Sequence, residues 1–504
     1  MSQSANELKT ESLISKLYEM RGFGGPALTG GLSDQVIEDF LEDYDALAIA
    51  IERAYGVFHG ARTSHPDFLA LGESEQIRAA QAGYTNFYDA DAVNPYVAAA
   101  AAGPWIVTLK GAVIYDCGGY GMLGMGHAPH ALLEAMNQPH VMANIMTASI
   151  NQLDFTRCLR NEIGHTRAGG TPFTSFLCLN SGSEATSMAS RIADINSKNL
   201  TDPGARYESC EVHGLTLKGS FHGRTDRPAR FSDSTMGNYR KHLASYQDSD
   251  YLLTVSPNDI KSMEAVFAQA EKDDKFIEAF FMEPVMGEGN PGQAITRDFY
   301  QRARELTKDH GTLLVVDSIQ AGLRAHGVLS IVDYPGFEDL DVPDMEAYSK
   351  SLNGGQFPLS VLALSETAAS IYRTGLYGNT MTTNPRGLDV AMAVLESFTP
   401  ALRDNIRTQG KVLLDGLGNL REELGDAITN TQGTGLLLSC ELHPRYKCYG
   451  ANSIEDYLRK QGLGVIHGGE RSLRYTPQFA VSDKEVDLII QLTREALLNG
   501  PRLQ

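Results

Sequence analysis

The 504-residue sequence contains no run of about 18 apolar residues, which excludes a membrane-spanning helix. Its start, MSQSANELKTESLISKLYEM, lacks a basic segment followed by an apolar core. Glu7 and Glu11 come early, which argues against a transit peptide, so the cytoplasm is the expected compartment. Cysteine is sparse. The six (Cys117, Cys158, Cys178, Cys210, Cys440 and Cys448) are scattered, with no CxxC pair and no zinc-type spacing. Free thiols in a large chain point to a reducing compartment, and Cys178, inside an apolar run, reads as core. Positive charge is also short: 43 Lys and Arg stand against 62 Asp and Glu, for a net charge of −19. With no basic stripe to offset this, nucleic-acid binding is excluded. An acidic surface repels polyanions, so a small anionic substrate would need local arginines to hold it.

What is present is ordinary globular material, 42% apolar and long enough to bury a core without staples. At roughly 150 residues per domain, the length suits about three domains, or one large α/β unit with additions. Residues 1–93 predict a helical extension: QVIEDFLEDYDALAIAIERAYGVF spaces apolar residues at helical intervals, with acidic residues between them. From Asn94 the pattern changes to short strands in WIVTLKGAVIYDCGG and a helix, HALLEAMNQ, after Pro129. Residues 94–150 are assigned to the first part of a smaller domain. Over 151–390, strand-like runs (FTSFLCL, FIEAFFM, TLLVV) alternate with helices such as RDFYQRARELTKDHG, which ends at a glycine. That alternation predicts a mainly parallel sheet with helices on both faces. Residues 391–504 carry long helical patterns, GLLLSCEL and a last helix, DKEVDLIIQLTREAL, which read as a smaller α/β domain.

Two patterns are set aside. Gly119-Tyr120-Gly121-Met122-Leu123-Gly124 matches GxGxxG, but Pro129 delays the helix and 140–150 holds no acidic residue, so a dinucleotide loop is not supported. His127 and His130 lack further ligands at metal spacing and read as helix-start histidines; no metal site is expected.

Three sites stand at the ends of expected strands, where ligands bind in open α/β sheets. In FLCLNSGSEATSMASRIAD, Ser181-Gly182-Ser183 opens a helix whose N–H groups and dipole suit a phosphate. An ordinary cap, Ser181 with Glu184, explains the same residues. In TLLVVDSIQAG, a buried strand delivers Asp317, with Gln320 three residues on. Such a carboxylate needs a partner, whether a protonated pyridine nitrogen, a helix N-terminus or an arginine. In PDMEAYSKSLNGGQFPLS, Lys350 lies between small residues and ahead of Gly354-Gly355. A lysine there is a nucleophile if its pKa is lowered, or simply a solvated loop residue.

In this order, the motifs resemble the class III aminotransferases of the fold-type I pyridoxal-phosphate (PLP) family, from about residue 95 to 500. The resemblance implies an α/β fold with a large, mainly parallel seven-stranded-type sheet and a smaller α/β domain. It implies PLP as cofactor, held as a Schiff base on Lys350. NSGSEA is similar to the family's phosphate cup, implying Ser181, Gly182 and Ser183 at the phosphate. SFHGRT implies Phe221 stacked on the ring with His222 beside it. MEPVMGEG resembles a family strand end that carries Glu283 and Glu288. DSIQAG implies Asp317 on the pyridine nitrogen and Gln320 near the phenolic oxygen. GNTMTTNP implies that Thr380 reaches the phosphate of the other subunit, hence a homodimer with shared sites. LRYTPQF implies that Arg474 binds a substrate carboxylate, Glu288 masks that arginine when it is idle, and Arg224 binds a distal carboxylate.

The reaction so implied moves an amino group from an ω-amino acid or related amine to a keto acid, 2-oxoglutarate or pyruvate. Asp317 would keep the ring nitrogen protonated, and Lys350 would shuttle the proton between the substrate and cofactor carbons. A PLP aminomutase or decarboxylase on the same scaffold is the alternative, followed by a non-catalytic PLP-binding dimer. The sequence departs from the family at Ser318, Arg324, His326, Ser351 and Thr382-Thr383, all expected around the active-site entrance.

Overall fold

The protein is described from a computed structural model, which covers residues 5–118, 120–247 and 249–503. Gly119, the first glycine of the GxGxxG string, lies outside them.

The centre is a seven-stranded sheet. Its strands, in chain order, are β1 (Ser175–Leu179), β2 (Glu211–Leu217), β3 (Leu252–Val255), β4 (Lys275–Met282), β5 (Leu313–Asp317), β6 (Met345–Tyr348) and β7 (Ser360–Leu364). They lie side by side as β1-β7-β6-β5-β4-β2-β3. Only β7 runs antiparallel to its neighbours; the other pairings are parallel. β4 and β5 are apolar runs because both faces are covered, and every residue of β5 is buried. The helix Arg297–His310 between them starts at Thr296, whose hydroxyl accepts from Phe299 N at 3.3 Å. It stops at Gly311, where φ of 70° needs no Cβ.

Two four-stranded sheets flank this centre. One takes the strands Ala98–Ala102, Trp105–Thr108 and Val113–Asp116, and adds Leu463–Gly464 in parallel to the last. The chain near residue 100 is thereby paired to the chain near 460. The other is antiparallel and made of Ile428–Thr434, Leu437–Leu442, Ser472–Tyr475 and Ile466–Gly468.

The described part of the N-terminal extension, from residue 5, is built on the helices Ala5–Arg21, Asp34–Leu41, Asp45–Ser64, Pro66–Ala70 and Glu73–Gln81. They share the main core rather than standing apart. Phe40 packs 4.9 Å from the ring of Trp105, which is fully buried. Among the described residues, no helix is long and apolar enough to cross a membrane.

No helix opens on Gly121 or Gly124; the next one begins at His130. His127 corrects its sequence reading. It is not at a helix start but places Nε2 2.8 Å from Asp116 Oδ2.

Candidate active site

β1, β5 and β6 bring Asn180, Asp317 and Ser349-Lys350 to one edge of the sheet. Around that edge is a cavity of about 530 Å³. Nine residues singled out from the sequence line it: Ser181, Gly182, Ser183, Phe221, His222, Glu283, Asp317, Gln320 and Lys350. Thr380 does not. It is exposed, and its carbonyl accepts from Asn144 Nδ2 at 3.2 Å.

The helix Gly182–Thr201 points its start at this space. Ser181 Oγ accepts from Glu184 N at 3.3 Å, so that hydroxyl is spent on capping. Glu184 completes the turn by accepting from Asn180 N at 2.7 Å. The remaining first-turn N–H groups and the Ser183 hydroxyl face an anion-favouring helix end. A Cβ on Gly223 would lie 2.5 Å from Ser183 Oγ. Glycine there is what leaves Ser183 its position.

Asp317 ends β5 and is 4% exposed. Its Oδ2 lies 2.8 Å from His222 Nδ1, and its Oδ1 accepts from Ile319 N at 3.1 Å. His222 is held in turn, with Nε2 3.1 Å from Thr216 Oγ1. Glu283 accepts from the N–H groups of Phe221 (3.0 Å) and Gly287 (2.7 Å). Burial raises its carboxyl to about 7, opposed by His222 and reinforced by Asp317. Lys350 sits with φ of 43° at the head of a short 3₁₀ turn. Burial lowers its ammonium to about 8, and Arg474 adds to this; Glu288, Asp317 and Glu283 oppose.

Arg474 comes from the strand Ser472–Tyr475 and is 2% exposed. Its Nη1 donates to Gly287 O and, at 3.4 Å, to Gln320 Oε1, while Nε is buried without a partner among the described residues. Gly287 is needed in this packing, since a Cβ there would lie 2.3 Å from Gln320 Cδ. Beyond Arg474 opens a second cavity of about 1030 Å³, lined by Arg224, Glu288, Arg474, Tyr88 and Tyr120. Arg224 lies over the ring of Phe221 at 5.2 Å and pairs with Glu288 at 3.6 Å. Glu288 also acts electrostatically on Arg474, so its carboxylate is shared between the two arginines. Among the described residues Glu288 is ion-paired to Arg224, while Arg474 is hydrogen-bonded to Gly287 and Gln320.

Two wall residues were missed from the sequence. Tyr120 lies inside the GYG string that had been set aside, at φ of 51°, and Arg474 sits 5.9 Å from its ring. Tyr88 comes from the N-terminal extension and stacks on Tyr120 with ring centroids 5.9 Å apart. An aromatic residue at a glycine-bounded turn was the available signal for Tyr120; Tyr88 had none. The departures from the family pattern are also relocated. Arg324 is fully buried and donates to Leu436 O and Pro477 O, and Ser318 donates to Glu346. Thr382 and Thr383 are buried, Ser351 donates to Gly121 O, and burial lowers His326 to about 4. None of these residues lines either of the two cavities.

A helix start suited to phosphate, a carboxylate anchored at a strand end, an aromatic wall and a lysine of lowered pKa together fit PLP. Residues 87–497 match the family model "Aminotransferase class-III".

The chain belongs to the class-III aminotransferase family.

It is therefore a PLP-dependent transaminase acting on an amine donor and a keto acid. The aminotransferase is 28% identical over 396 residues to the acetylornithine aminotransferase of Neisseria meningitidis serogroup B, covering 78% of this chain and 92% of that one. It is 30% identical over 313 residues to the acetylornithine aminotransferase of Xanthomonas axonopodis pv. citri, covering 62% and 71%. In fold it resembles the ornithine aminotransferase of Toxoplasma gondii, with a TM-score of 0.71, 22% identity, and 87% and 98% of the two chains covered.

Proposed function

We propose that this aminotransferase takes the amino group of an ω-amino acid and passes it to 2-oxoglutarate. One observation carries the reading: two arginines, Arg224 and Arg474, line a single cavity with Glu288 between them in charge. In a protein of net charge −19, such a pair is what a substrate with a carboxylate requires. The relatives named for acetylornithine and ornithine support a donor with a terminal amine and a distant carboxylate.

The shared cavity supports a set of roles for its residues. The N–H groups at Gly182 and Ser183 would hold the cofactor phosphate, and Phe221 would provide an aromatic wall for its ring. Asp317, oriented by His222, would hold a proton on the ring nitrogen. Gln320 and Glu283 fix the polar rim. Bound PLP supplies the electron sink that stabilises negative charge at the amine-bearing carbon. Lys350 would anchor the cofactor and, as a free amine, would act as the base that takes a proton from the amine-bearing carbon and as the acid that returns it. Arg474 grips the keto acid's carboxylate and Arg224 the far carboxylate of the amine donor. Tyr88 and Tyr120 narrow the passage between them.

The reading includes a homodimer in which Thr380 serves the other subunit. It is supported by an exposed apolar stretch beside Thr380: Val141 (82% exposed), Ile145, Met146 (89%), Ile150 and Met381. A patch of this kind on an otherwise polar surface needs a partner. The cytoplasm is the compartment assigned, supported by six free cysteines.

A donor screen with 2-oxoglutarate tests the function, following the change in cofactor absorbance. Ornithine, lysine, 4-aminobutyrate and their N-acetyl relatives include the active donor. If all of these fail while simple amines work, the arginine pair does not select the donor.

A further inference from the structure

We propose that Glu211, His213 and Asp250 form a divalent-metal site of the zinc type at the edge of the central sheet. Glu211 and His213 are two apart at the start of β2, so their side chains leave the same face. Asp250 stands just before β3, the edge strand that pairs with β2. One ligand atom from each residue lies within 4.8 Å of the others.

The histidine distinguishes this group from a chance acidic cluster. His213 is fully buried, yet among the described residues neither Nδ1 nor Nε2 has a hydrogen-bond partner. Buried polar atoms without partners are costly and rare. Nε2 lies 3.4 Å from Glu211 Oε2, without the geometry of a hydrogen bond. Two ligands bound about 2.0–2.2 Å from a tetrahedral zinc stand about 3.4 Å apart. One imidazole nitrogen and two carboxylates are a donor set that zinc accepts, with water in the fourth position. A metal there would satisfy Nε2 and neutralise Glu211 and Asp250.

The placement gives the site a job. The ladder between β2 and β3 begins at Gly214 and Leu252, preceded by one bond from Gly214 N to Tyr251 O at 2.9 Å. The three ligands stand immediately before that first bond. A metal would clasp the edge strand to its neighbour where hydrogen bonding has not yet started. Glu211 is at the opposite end of β2 from the segment carrying Phe221 and His222, about 20 Å along the strand. The clasp is structural and separate from the PLP site.

The test uses the PLP-loaded enzyme, stripped with EDTA, dialysed and titrated with zinc chloride. Elemental analysis and the unfolding midpoint are read together for the wild type and for the double variant Glu211→Gln/Asp250→Asn. Both substituted residues are exposed, so the variant retains its core. The wild type is expected to hold one more zinc per chain than the variant and to gain about 1–3 °C in Tm with zinc. The variant is expected to show neither. Equal zinc content, or the same Tm response in both proteins, overturns the proposal. Changes at the six cysteines would appear equally in both and are subtracted by the comparison.

Discussion

Asp317 Oδ2 stands 2.8 Å from Nδ1 of His222, with both side chains buried and the histidine braced by Thr216. This chain of three side chains fixes the carboxylate that faces the cofactor cavity. Replacing His222 by Phe keeps the ring volume and removes both bonds. A hydrogen bond to a charged group is worth about 1.5–3 kcal/mol, so kcat is expected to fall roughly 10- to 100-fold. Cofactor content stays near that of the parent. Steady-state kinetics alongside a cofactor titration checks this, and unchanged kcat would make the histidine a packing residue only.

Lys350 predicts a pH dependence of definite sign. Its ammonium is lowered to about 8 by burial, from an ordinary value of 10.5. In the cofactor-free protein the fraction of free amine therefore rises as pH passes through about 8. The rate of PLP addition is expected to rise over the same range, as stopped-flow absorbance would show. For stability, the folded chain holds fewer protons than the unfolded chain between 8 and 10.5. Stability from this group thus increases with pH across that window. Lys350→Met should stabilise the cofactor-free protein at pH 7, and the gain should fade towards pH 10.5. The same variant should lose activity by about 10³-fold or more.

The two arginines should separate the half-reactions. Arg474→Ala is expected to raise KM for the keto acid by roughly 10- to 100-fold, the value of a charge-assisted bond pair, with little change for the amine donor. Arg224→Ala should do the reverse. Single-turnover kinetics of each half-reaction measures both, and equal effects on the two substrates would remove the division of labour.

One stability prediction concerns the scaffold. Arg304 donates to Asp344 through two bonds of 2.7 and 3.0 Å, and Asp344 also accepts from Leu314 N on β5 at 2.8 Å. The pair is nearly inaccessible to solvent. Asp344→Ala leaves a buried guanidinium uncompensated and should cost about 3–5 kcal/mol, read by urea denaturation. A loss under 1 kcal/mol would mean that water replaces the carboxylate.

Much of the site was legible before any coordinates. Nine of the residues singled out by motif line one cavity, because each motif sits at a strand end and parallel strands end on the same side. The charge pairing was not legible. The resemblance pairs Glu288 with Arg474; the structure adds an ion pair to Arg224 and leaves Glu288 acting electrostatically on Arg474 as well. The resemblance puts Arg324 near the active-site entrance; here three carbonyls and the Phe479 ring hold it in the core. Tyr88 carried no signal, since nothing local says that a helical extension ends against the substrate cavity.

By itself, the sequence determined the element order, the α/β class and the strand ends where chemistry gathers, since these depend on apolar periodicity and on turn residues close together in the chain. Only the tertiary structure decided which polar groups meet. His222 and Asp317 are 95 residues apart, and Arg474 and Gln320 are 154 apart. Such contacts follow from the sheet order β1-β7-β6-β5-β4-β2-β3, which is set by how the helices and strands pack together and not by any short stretch of residues.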